Sequence, residues 1–398
     1  MRVAALFFLV TLSVVSFPPA LAGDPLPALL EAAKVACSKG SEGKVEETFP
    51  LADGEGRLRR LVVAGRLRRL SLELWDTSPS PPTPLAAVTL SADCAPIEAR
   101  RIDRGGSMGP ELVRFAPDLS AEIGREYLDP PMPAGKDPGG VAVAHVDTGV
   151  NYLLPQVANR LARDAAGNPI GGDFWDDDRR PFDVDTGRSP FFPLHHGTAV
   201  ASIVLAEAPA ARIAPYRFPR PDMNRMAALV ADIEANKIRI VNMAMGSNDR
   251  DDWITFADAA LKAPHILFVV SAGNDGRDID ARPVWPAALG LENIVVVTSA
   301  DSFGRLAQGS NWGVKSVDVM VPGERVVVMD HRGAEGRASG SSFAVPRVTA
   351  MAARLLAKNP DWKAPELKKA ILARARVSPY QKTPVVRVGW IPDPTDDY

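Results

Sequence analysis

The sequence has little excess charge and few long apolar runs, which argues against two broad classes of protein. Its 46 Lys and Arg residues nearly balance 48 Asp and Glu residues, giving a formal net charge of −2. A general nucleic-acid-binding protein would carry a basic excess. After residue 22, no stretch approaches the roughly 20 apolar residues of a membrane-spanning helix. We therefore expect a globular chain with no nucleic-acid partner and, in its mature form, no membrane span.

Cysteine is also scarce, since Cys37 and Cys94 are the only two. Both lie in the first hundred residues, and nothing near them supplies metal ligands. In an exported protein such a pair most simply forms a disulfide, and two free buried thiols are the alternative. We predict a Cys37–Cys94 disulfide, which indicates that this region folds as a unit of its own.

The first 22 residues have the pattern of a signal peptide. Arg2 supplies a short positive segment, residues 3–17 (VAALFFLVTLSVVSF) are apolar, and Ala20-Leu21-Ala22 offers a small-x-small cleavage pattern. An uncleaved anchor is the alternative, although the apolar run is short for a membrane span. We predict a mature chain that starts near Gly23 and is exported, either to a periplasm or out of the cell.

Two regions with different patterns follow the signal peptide. Residues 23–127 contain short alternating runs, such as RLRRLSLELWD, separated by turn signals and prolines, and they predict a small β-rich domain. Residues 128–140 (LDPPMPAGKDPGG) predict a linker because they are dense in Pro and Gly. From residue 141 onward, apolar β-branched runs alternate with helical stretches. Residues 141–398 therefore predict an α/β fold with a mostly parallel sheet covered by helices.

The tripeptide Asp-Thr-Gly occurs twice, beginning at Asp147 and at Asp185. A pair of such units suggests two aspartates that share a proton across a cleft. Asp147, however, ends the apolar run VAVAHV, and in parallel sheets the working residues gather at the carboxyl ends of strands. Asp185 lies in a polar stretch where Asp and Gly favour a turn. We therefore expect Asp147 to orient another catalytic group and Asp185 to form a turn.

Two further residues are candidates for the chemistry. His196 is followed by Gly197 and a small-residue helical run, which predicts a position at a helix start facing a cleft; His195 is its competitor. Ser342 lies near the start of an amphipathic helical pattern, and we expect Pro346 in the first turn of that helix. A serine there lies where unpaired N–H groups and the helix dipole favour negative charge. An ordinary N-cap serine is the alternative.

Four motifs occur in a recognisable order, namely VDTG, HGTAVAS, VVSAGNDG and SGSSFAVP, and they contain Asp147, His196, Asn274 and Ser342. Over residues of about 138–376 the sequence resembles the subtilisin-like serine peptidases. Further matching stretches are VNMAMGS, WPAALGLENIVVVTSA and GSNWGVKSVDVMVPGE. The resemblance implies the three-layer fold of that family, with a mostly parallel central sheet. It also implies a serine endopeptidase that works through an acyl-enzyme.

The resemblance implies a role for each motif residue. Ser342 is the nucleophile, His196 is the general base, and Asp147 orients His196. Asn274 donates to the oxyanion together with the backbone N–H of Ser342. Two walls would hold an extended peptide substrate between them. The wall residues are Ala244, Met245 and Gly246 on one side, and Ser271, Ala272 and Gly273 on the other.

The nucleophile segment departs from the family at two positions. Ser341 stands where Thr is usual, and Phe343 stands where Met is usual. Neither change removes a catalytic atom, and all four catalytic positions match, which favours an enzyme. A catalytically silent fold that binds peptides or partners is the main alternative, and a non-peptidase serine hydrolase is a second. The resemblance does not reach residues 24–125, for which a released propeptide and a retained domain both stay open.

An acidic loop, GGDFWDDDRRPFDVD, holds six aspartates in residues 171–185. Oxygen-rich loops bind calcium, and members of the resembled family often hold structural calcium. Arg179, Arg180 and Arg188 are close enough in sequence to pair with these carboxylates, and the spacing matches no defined calcium loop. We expect a solvated charged loop, with structural calcium as the alternative. The predicted chemistry itself requires no metal or other cofactor.

Overall fold

The computed structural model describes residues 24–40 and 44–396. The predicted signal peptide, residues 1–22, lies outside the described residues. The chain forms two compact units: residues up to Asp103 together with Leu112–Glu126, and Arg104–Glu111 together with the chain from Tyr127 onward. We call them the N-terminal unit and the α/β unit. No helix in the described ranges combines the length and the apolar character needed to cross a bilayer.

The N-terminal unit is a seven-stranded sheet with one helix packed on it. Its elements are α1 (Leu26–Cys37), β1 (Glu46–Leu51), β2 (Gly54–Val63), β3 (Arg66–Asp76), β4 (Thr83–Ser91), β5 (Pro96–Asp103), β6 (Glu111–Phe115) and β7 (Glu122–Tyr127). The strands lie side by side in chain order, and those from β1 to β5 pair antiparallel. Leu70, Leu72 and Leu74, alternate residues of β3, share one core with Leu26 and Leu29 of α1. The predicted β-rich region is therefore confirmed.

Helix α1 was not predicted by the short alternating runs of this region. Its buried residues Leu26, Leu29 and Ala33 recur at the three- and four-residue spacing of one helix face. Cys37, the last residue of α1, is disulfide-bonded to Cys94, with 5.8 Å between the two Cα atoms. The structure contains the predicted disulfide, which ties the helix to the loop that follows β4.

The α/β unit is built on an eight-stranded sheet. Its strands are β8 (Val141–Asp147), β9 (Gly172–Asp173), β10 (Ala211–Arg217), β11 (Ile240–Met243), β12 (Leu267–Ser271), β13 (Ile294–Ala300), β14 (Val319–Pro322) and β17 (Gly389–Trp390). Between β14 and β17 in the chain, β15 (Val326–Met329) and β16 (Glu335–Ala338) form a separate antiparallel ribbon. The pairs within the eight-stranded sheet are parallel. Near-continuous apolar strands of this kind are stable only when both faces are covered.

Helices cover the two faces of this sheet. They are α2 (Pro155–Ala158), α3 (Gly197–Glu207), α4 (Met226–Ala235), α5 (Ile254–Lys262), α6 (Ser341–Lys358) and α7 (Ala364–Leu372), with short 3-10 turns at Met223–Arg225, Asp251–Trp253 and Ala287–Leu289. Phe268 and Val270 of β12 pack in the core shared with α4 and α5. Leu267 and Val269 pack in the opposite core, which α3, α6 and α7 complete. The predicted three-layer α/β fold is confirmed.

The order of the strands reverses at β8, which creates a natural site for chemistry. The sheet order is β17-β14-β13-β12-β11-β8-β10-β9, so the chain continues on opposite sides of β8. Ligands of such sheets bind beyond the carboxyl ends of the strands at this switch point. Asp147 is the last residue of β8, Ala244 is the first after β11, and Ala272 is the first after β12.

The predicted linker, residues 128–140, packs along the α/β unit. The Tyr152 hydroxyl donates to the carbonyl of Pro130 at 2.5 Å. The guanidinium of Arg163, which is 4% exposed, donates to the carbonyl of Pro133 at 2.8 Å. These bonds hold the middle of the segment on the unit that carries the candidate site.

Candidate active site

Asp147 and His196 form a hydrogen-bonded pair at the switch point. Asp147 is 2% exposed, and its Oδ1 accepts a hydrogen bond from Nδ1 of His196 at 2.7 Å. The side chain of His196 remains 34% exposed. Because Nδ1 donates to the carboxylate, Nε2 of the neutral ring carries no proton and is an acceptor. A carboxylate that fixes the tautomer of an accessible imidazole is the arrangement of an oriented general base.

The charges around His196 favour its protonated form. Burial lowers the pKa of this imidazole, but the charge and hydrogen bond of Asp147, with smaller effects of Asp183 and Asp185, outweigh burial. The pKa of His196 is raised from 6.5 to about 9. The site therefore stabilises the imidazolium that a base becomes when it takes a proton from a hydroxyl.

A second carboxylate, which sequence reasoning missed, caps the helix that follows His196. Asp183 accepts hydrogen bonds from the backbone N–H of His196 at 3.1 Å and of Thr198 at 2.9 Å. The Thr148 hydroxyl donates to it at 2.5 Å. Burial opposes ionisation of Asp183, but the His331 ring and the hydroxyl donors hold its pKa well below the usual range. Asp183 thus satisfies N–H groups at the start of α3 that have no helical partner.

Ser342 is the second residue of α6, as its helical pattern predicts. Its hydroxyl donates to the carbonyl of Ala244 at 3.3 Å, which is long for a bond between oxygens. The ring centroid of the neighbouring Phe343 lies 5.8 Å from that of His196. The start of α6 and the start of α3 therefore meet at the same end of the sheet.

The prediction that Pro346 lies in the first turn of α6 is wrong. The helix begins at Ser341, so Pro346 is its sixth residue and lies in the second turn. Only the first four N–H groups of a helix lack an intrahelical partner. Pro346 therefore removes the N–H that would otherwise bond to the carbonyl of Ser342.

Asn274 is oriented by the residue that precedes the candidate nucleophile. Its Oδ1 accepts hydrogen bonds from the N–H and the hydroxyl of Ser341, both at 2.9 Å. The Ser341 hydroxyl lies 2.7 Å from that of Ser271, which in turn accepts the N–H of Gly273 at 3.0 Å. With Oδ1 held by two donors, Nδ2 of the exposed Asn274 is directed away from Ser341. Ser341 thus supplies the hydroxyl needed to orient an amide donor beside α6.

The six predicted wall residues differ in exposure. Met245, Gly246 and Gly273 are at least partly exposed. Ala244, Ser271 and Ala272 are 4%, 4% and 0% exposed. Ala272, one of the predicted wall residues, packs in the core between the sheet and helices α4 and α5. Its methyl group is therefore enclosed by protein, and the accessible wall residues are Met245, Gly246 and Gly273.

Arginines pair with four of the six aspartates of the acidic loop at residues 171–185. The ion pairs are Arg217 with Asp173 (2.8 Å) and Asp176, Arg225 with Asp177, and Arg180 with Asp178 (2.8 Å). Arg217 and Arg225 are distant in sequence, so local spacing did not identify them. These four carboxylates already have guanidinium partners, whereas a calcium ion takes six to eight oxygen ligands.

Comparisons with known proteins agree with this fold. A family model described as the subtilase family matches residues 139–390. A thermophilic serine proteinase of Bacillus sp. (strain AK1) is 28% identical over 243 residues, which are 58% of this chain and 55% of that protein. The subtilisin-like protease het-Q2 of Podospora anserina is 30% identical over 182 residues, 41% of this chain and 48% of that protein. The chain therefore spans about half the length of these curated relatives.

A solved structure gives the same result for the fold. The crystal structure of a cold adapted subtilisin-like serine proteinase superposes with a TM-score of 0.52 at 22% identity, over 67% of this chain and 93% of that chain. At this identity the likeness concerns the fold alone. The family model, in contrast, covers more than half of the sequence. The chain belongs to the subtilase family.

Proposed function

We propose that this chain is an exported serine endopeptidase that hydrolyses peptide bonds through an acyl-enzyme on Ser342. The observation that carries the proposal is the 2.7 Å hydrogen bond from His196 to Asp147, at the switch point of a subtilase fold. The start of α6, with Ser342, lies beside this pair. A nucleophile, a base and a group that orients the base are the parts that acyl transfer requires.

In the proposed reaction the Ser342 hydroxyl leaves the carbonyl of Ala244 and transfers its proton to Nε2 of His196. Oγ of Ser342 forms a bond to the carbonyl carbon of the substrate, while Asp147 stabilises the imidazolium. The resulting oxyanion accepts hydrogen bonds from Nδ2 of Asn274 and from the N–H of Ser342 at the start of α6. His196 then protonates the leaving amine, and water hydrolyses the ester with the same base.

The proposed substrate is an extended peptide held between the segments that follow β11 and β12. Backbone pairing along such segments selects extended chains and places no demand on their sequence. Export rests on the sequence pattern of residues 1–22. The curated relatives include a protein named minor extracellular protease Epr of Bacillus subtilis (strain 168), 32% identical over 183 residues.

Labelling with a fluorophosphonate probe, followed by intact-mass analysis, tests the activated nucleophile. Wild type and Ser342→Ala are compared, with Ser339→Ala as the matched control. Ser339 lies just before α6 and accepts the N–H of Arg325 at 2.9 Å, so it has no proposed part in catalysis. We expect an adduct on wild type and Ser339→Ala and none on Ser342→Ala. If none of the three proteins takes the probe, a peptide-binding fold without catalysis replaces the proposal.

The same spectra report what happens to the N-terminal unit. A wild-type chain that starts within residues 126–140, beside a full-length Ser342→Ala chain, would identify the N-terminal unit as a propeptide that the enzyme removes itself. Wild-type and variant chains of equal length would instead identify a domain that autocatalysis does not remove.

A further inference from the structure

Three fully buried polar side chains form a continuous hydrogen-bonded relay beneath the candidate active site. They are His145 of β8, Asn242 of β11 and Thr349 of α6, each 0% exposed. His145 contacts the carbonyl of Gly197 through Nε2 at 2.9 Å and the amide nitrogen of Asn242 through Nδ1 at 3.1 Å. The Thr349 hydroxyl lies 2.8 Å from Oδ1 of Asn242. We call these three residues the His145 relay.

The partners and the burial of the relay favour one arrangement of its protons. A carbonyl only accepts, so Nε2 of His145 must carry the proton and donate to Gly197. Complete burial lowers the pKa of His145 and favours the neutral ring, so Nδ1 is an acceptor and takes a hydrogen bond from the NH2 group of Asn242. Oδ1 of Asn242 consequently faces α6, where the Thr349 hydroxyl has two acceptors, this Oδ1 at 2.8 Å and the carbonyl of Val345 at 3.1 Å. A second proton on His145 would meet the NH2 group of Asn242 in this arrangement.

Each member of the relay lies close in sequence to a residue of the site. His145 is two residues before Asp147 on β8, and Gly197 directly follows His196. Asn242 is two residues before Ala244, whose carbonyl accepts the Ser342 hydroxyl. On α6, Thr349 follows Ser342 by seven residues, which is close to two helical turns and therefore the same helix face. The relay thus cross-links the four elements that carry the proposed chemistry.

Because the relay is surrounded by apolar side chains, its hydrogen bonds fix how the four elements are placed relative to one another. Val143, Val200 and Val345 belong to the apolar core on this side of the sheet. Apolar contacts are non-directional, so they set the spacing of elements less sharply than hydrogen bonds do. Polar groups buried in such a core are costly when unpaired, which favours one fully bonded arrangement over slipped alternatives.

We propose that His145 is a positioning residue, whose neutral Nε2–H tautomer holds Gly197, and with it His196, in register with Asp147. The inference rests on the proposed function, because it assigns a task within that catalytic site. His145 neither touches substrate nor transfers a proton. The bond to Gly197 fixes the start of α3 against β8, and the bonds through Asn242 and Thr349 fix the same strand against α6.

Four variants test the relay. His145→Leu removes both of its bonds, and His145→Gln retains one donor and one acceptor. Thr349→Val has nearly the same shape and removes the hydroxyl donor at the far end. Val143→Ala is the matched control, because Val143 is buried two residues earlier on the same face of β8 and makes no side-chain polar contact. The kcat and KM for a peptide substrate are measured at a temperature at which circular dichroism finds every variant folded.

We expect His145→Leu to lower kcat by about 10- to 100-fold with KM changed less than about 2-fold, since misplacing a catalytic group acts on the transition state. His145→Gln should recover most of this loss, and Thr349→Val should show a smaller one. A double variant that combines His145→Leu with Thr349→Val should lose little more kcat than His145→Leu alone, because both substitutions interrupt the same relay. A wild-type kcat in His145→Leu, or multiplied losses in the double variant, would overturn the proposal. So would an equal loss of kcat in Val143→Ala.

Proton NMR of the His196–Asp147 hydrogen bond separates the failure of this inference from failure of the proposed function. The low-field signal of the Nδ1 proton of His196 would be recorded in wild type, His145→Leu and Val143→Ala. This measurement does not require that the protein cleaves peptides. We expect the signal to be shifted or broadened in His145→Leu alone. An unchanged signal in His145→Leu would refute the positioning role even if the wild type were inactive.

Discussion

The two Asp-Thr-Gly tripeptides of this chain are identical in sequence and opposite in environment. Asp147 ends the strand at which the sheet order reverses, is almost fully buried, and bonds to His196 at 2.7 Å. Asp185 lies in a loop, where its Oδ1 accepts the N–H of Gly187 at 2.8 Å in the turn that its sequence predicts. The tripeptide therefore has no function of its own. The position of Asp147 at the end of β8 is what brings its carboxylate to the imidazole of His196.

The glycines of the two tripeptides also differ in their surroundings. Gly149 has a φ of +99°, and a Cβ atom at this position would lie 2.3 Å from the carbonyl oxygen of Phe182. Gly187 is exposed and has no positive φ, and a Cβ atom there would meet Asp185 Oδ1 at 3.0 Å. Of the two glycines, only Gly149 lies so close to other backbone, because the loop after β8 runs against the carbonyl groups of Pro181 and Phe182.

Replacing each of the two carboxylates with an amide should give the largest difference in activity between the two tripeptides. In Asp147→Asn the amide no longer stabilises the imidazolium or selects the tautomer, and we expect kcat to fall about 10⁴-fold. Asp185→Asn retains an oxygen that accepts the Gly187 N–H, so its kcat should stay within about 3-fold of wild type. Both are measured with one peptide substrate, and similar losses in the two variants would contradict the assignment of Asp147.

The pH profile of activity should separate the two carboxylates further. Only neutral His196 acts as a base, so kcat/KM should rise with pH, with a midpoint near the raised pKa of about 9 rather than 6.5. Asp185 contributes the smallest of the cited effects that raise this pKa, so Asp185→Asn should lower the midpoint only slightly. A wild-type midpoint at or below 6.5 would show that Asp147 does not hold the imidazolium.

The same pKa has a consequence for stability. A histidine whose pKa is raised on folding stabilises the fold fully below its unfolded value of 6.5, and this contribution is lost as the pH rises through about 9. The difference in unfolding free energy between wild type and Asp147→Asn should therefore be larger at pH 6 than at pH 10. Urea titrations at the two pH values measure it, and a difference that grows with pH would contradict the sign.

Replacing the two glycines with alanine tests the difference in packing. Gly149→Ala combines an unfavourable positive φ with a backbone clash, and we expect a loss of about 3 kcal/mol in unfolding free energy. In Gly187→Ala the new methyl group meets the side chains of Asp185 and Trp175 and no backbone, so we expect a change within about 1 kcal/mol. Urea unfolding of both variants measures these changes. Equal destabilisation would indicate that the second Asp-Thr-Gly tripeptide is as tightly enclosed as the first.

The sequence predicted those parts of the fold and site that follow from local patterns. Apolar runs identified six strands of the eight-stranded sheet and missed the two-residue strands β9 and β17. The motif residues Asp147, His196 and Ser342 lie at one end of this sheet. The missed residues act over long sequence distances. Asp183 caps a helix that begins after His196, and no local spacing relates a carboxylate to such N–H groups. The relay partner of His145, Asn242, becomes its neighbour only because β8 and β11 pair in parallel.

The acidic loop around the second tripeptide gives the smallest expected effect. Arg217 already binds Asp173 and Asp176, so a calcium ion would have to displace a guanidinium that is 4% exposed. We expect chelation by EDTA to change the melting temperature of wild type by less than about 1 °C, because a ligand stabilises a protein only when it binds the folded state. In Arg217→Gln the two carboxylates lose this partner, and added calcium should then raise the melting temperature measurably. If EDTA lowers the wild-type melting temperature by several degrees instead, the folded protein binds a metal ion, and this expectation is wrong.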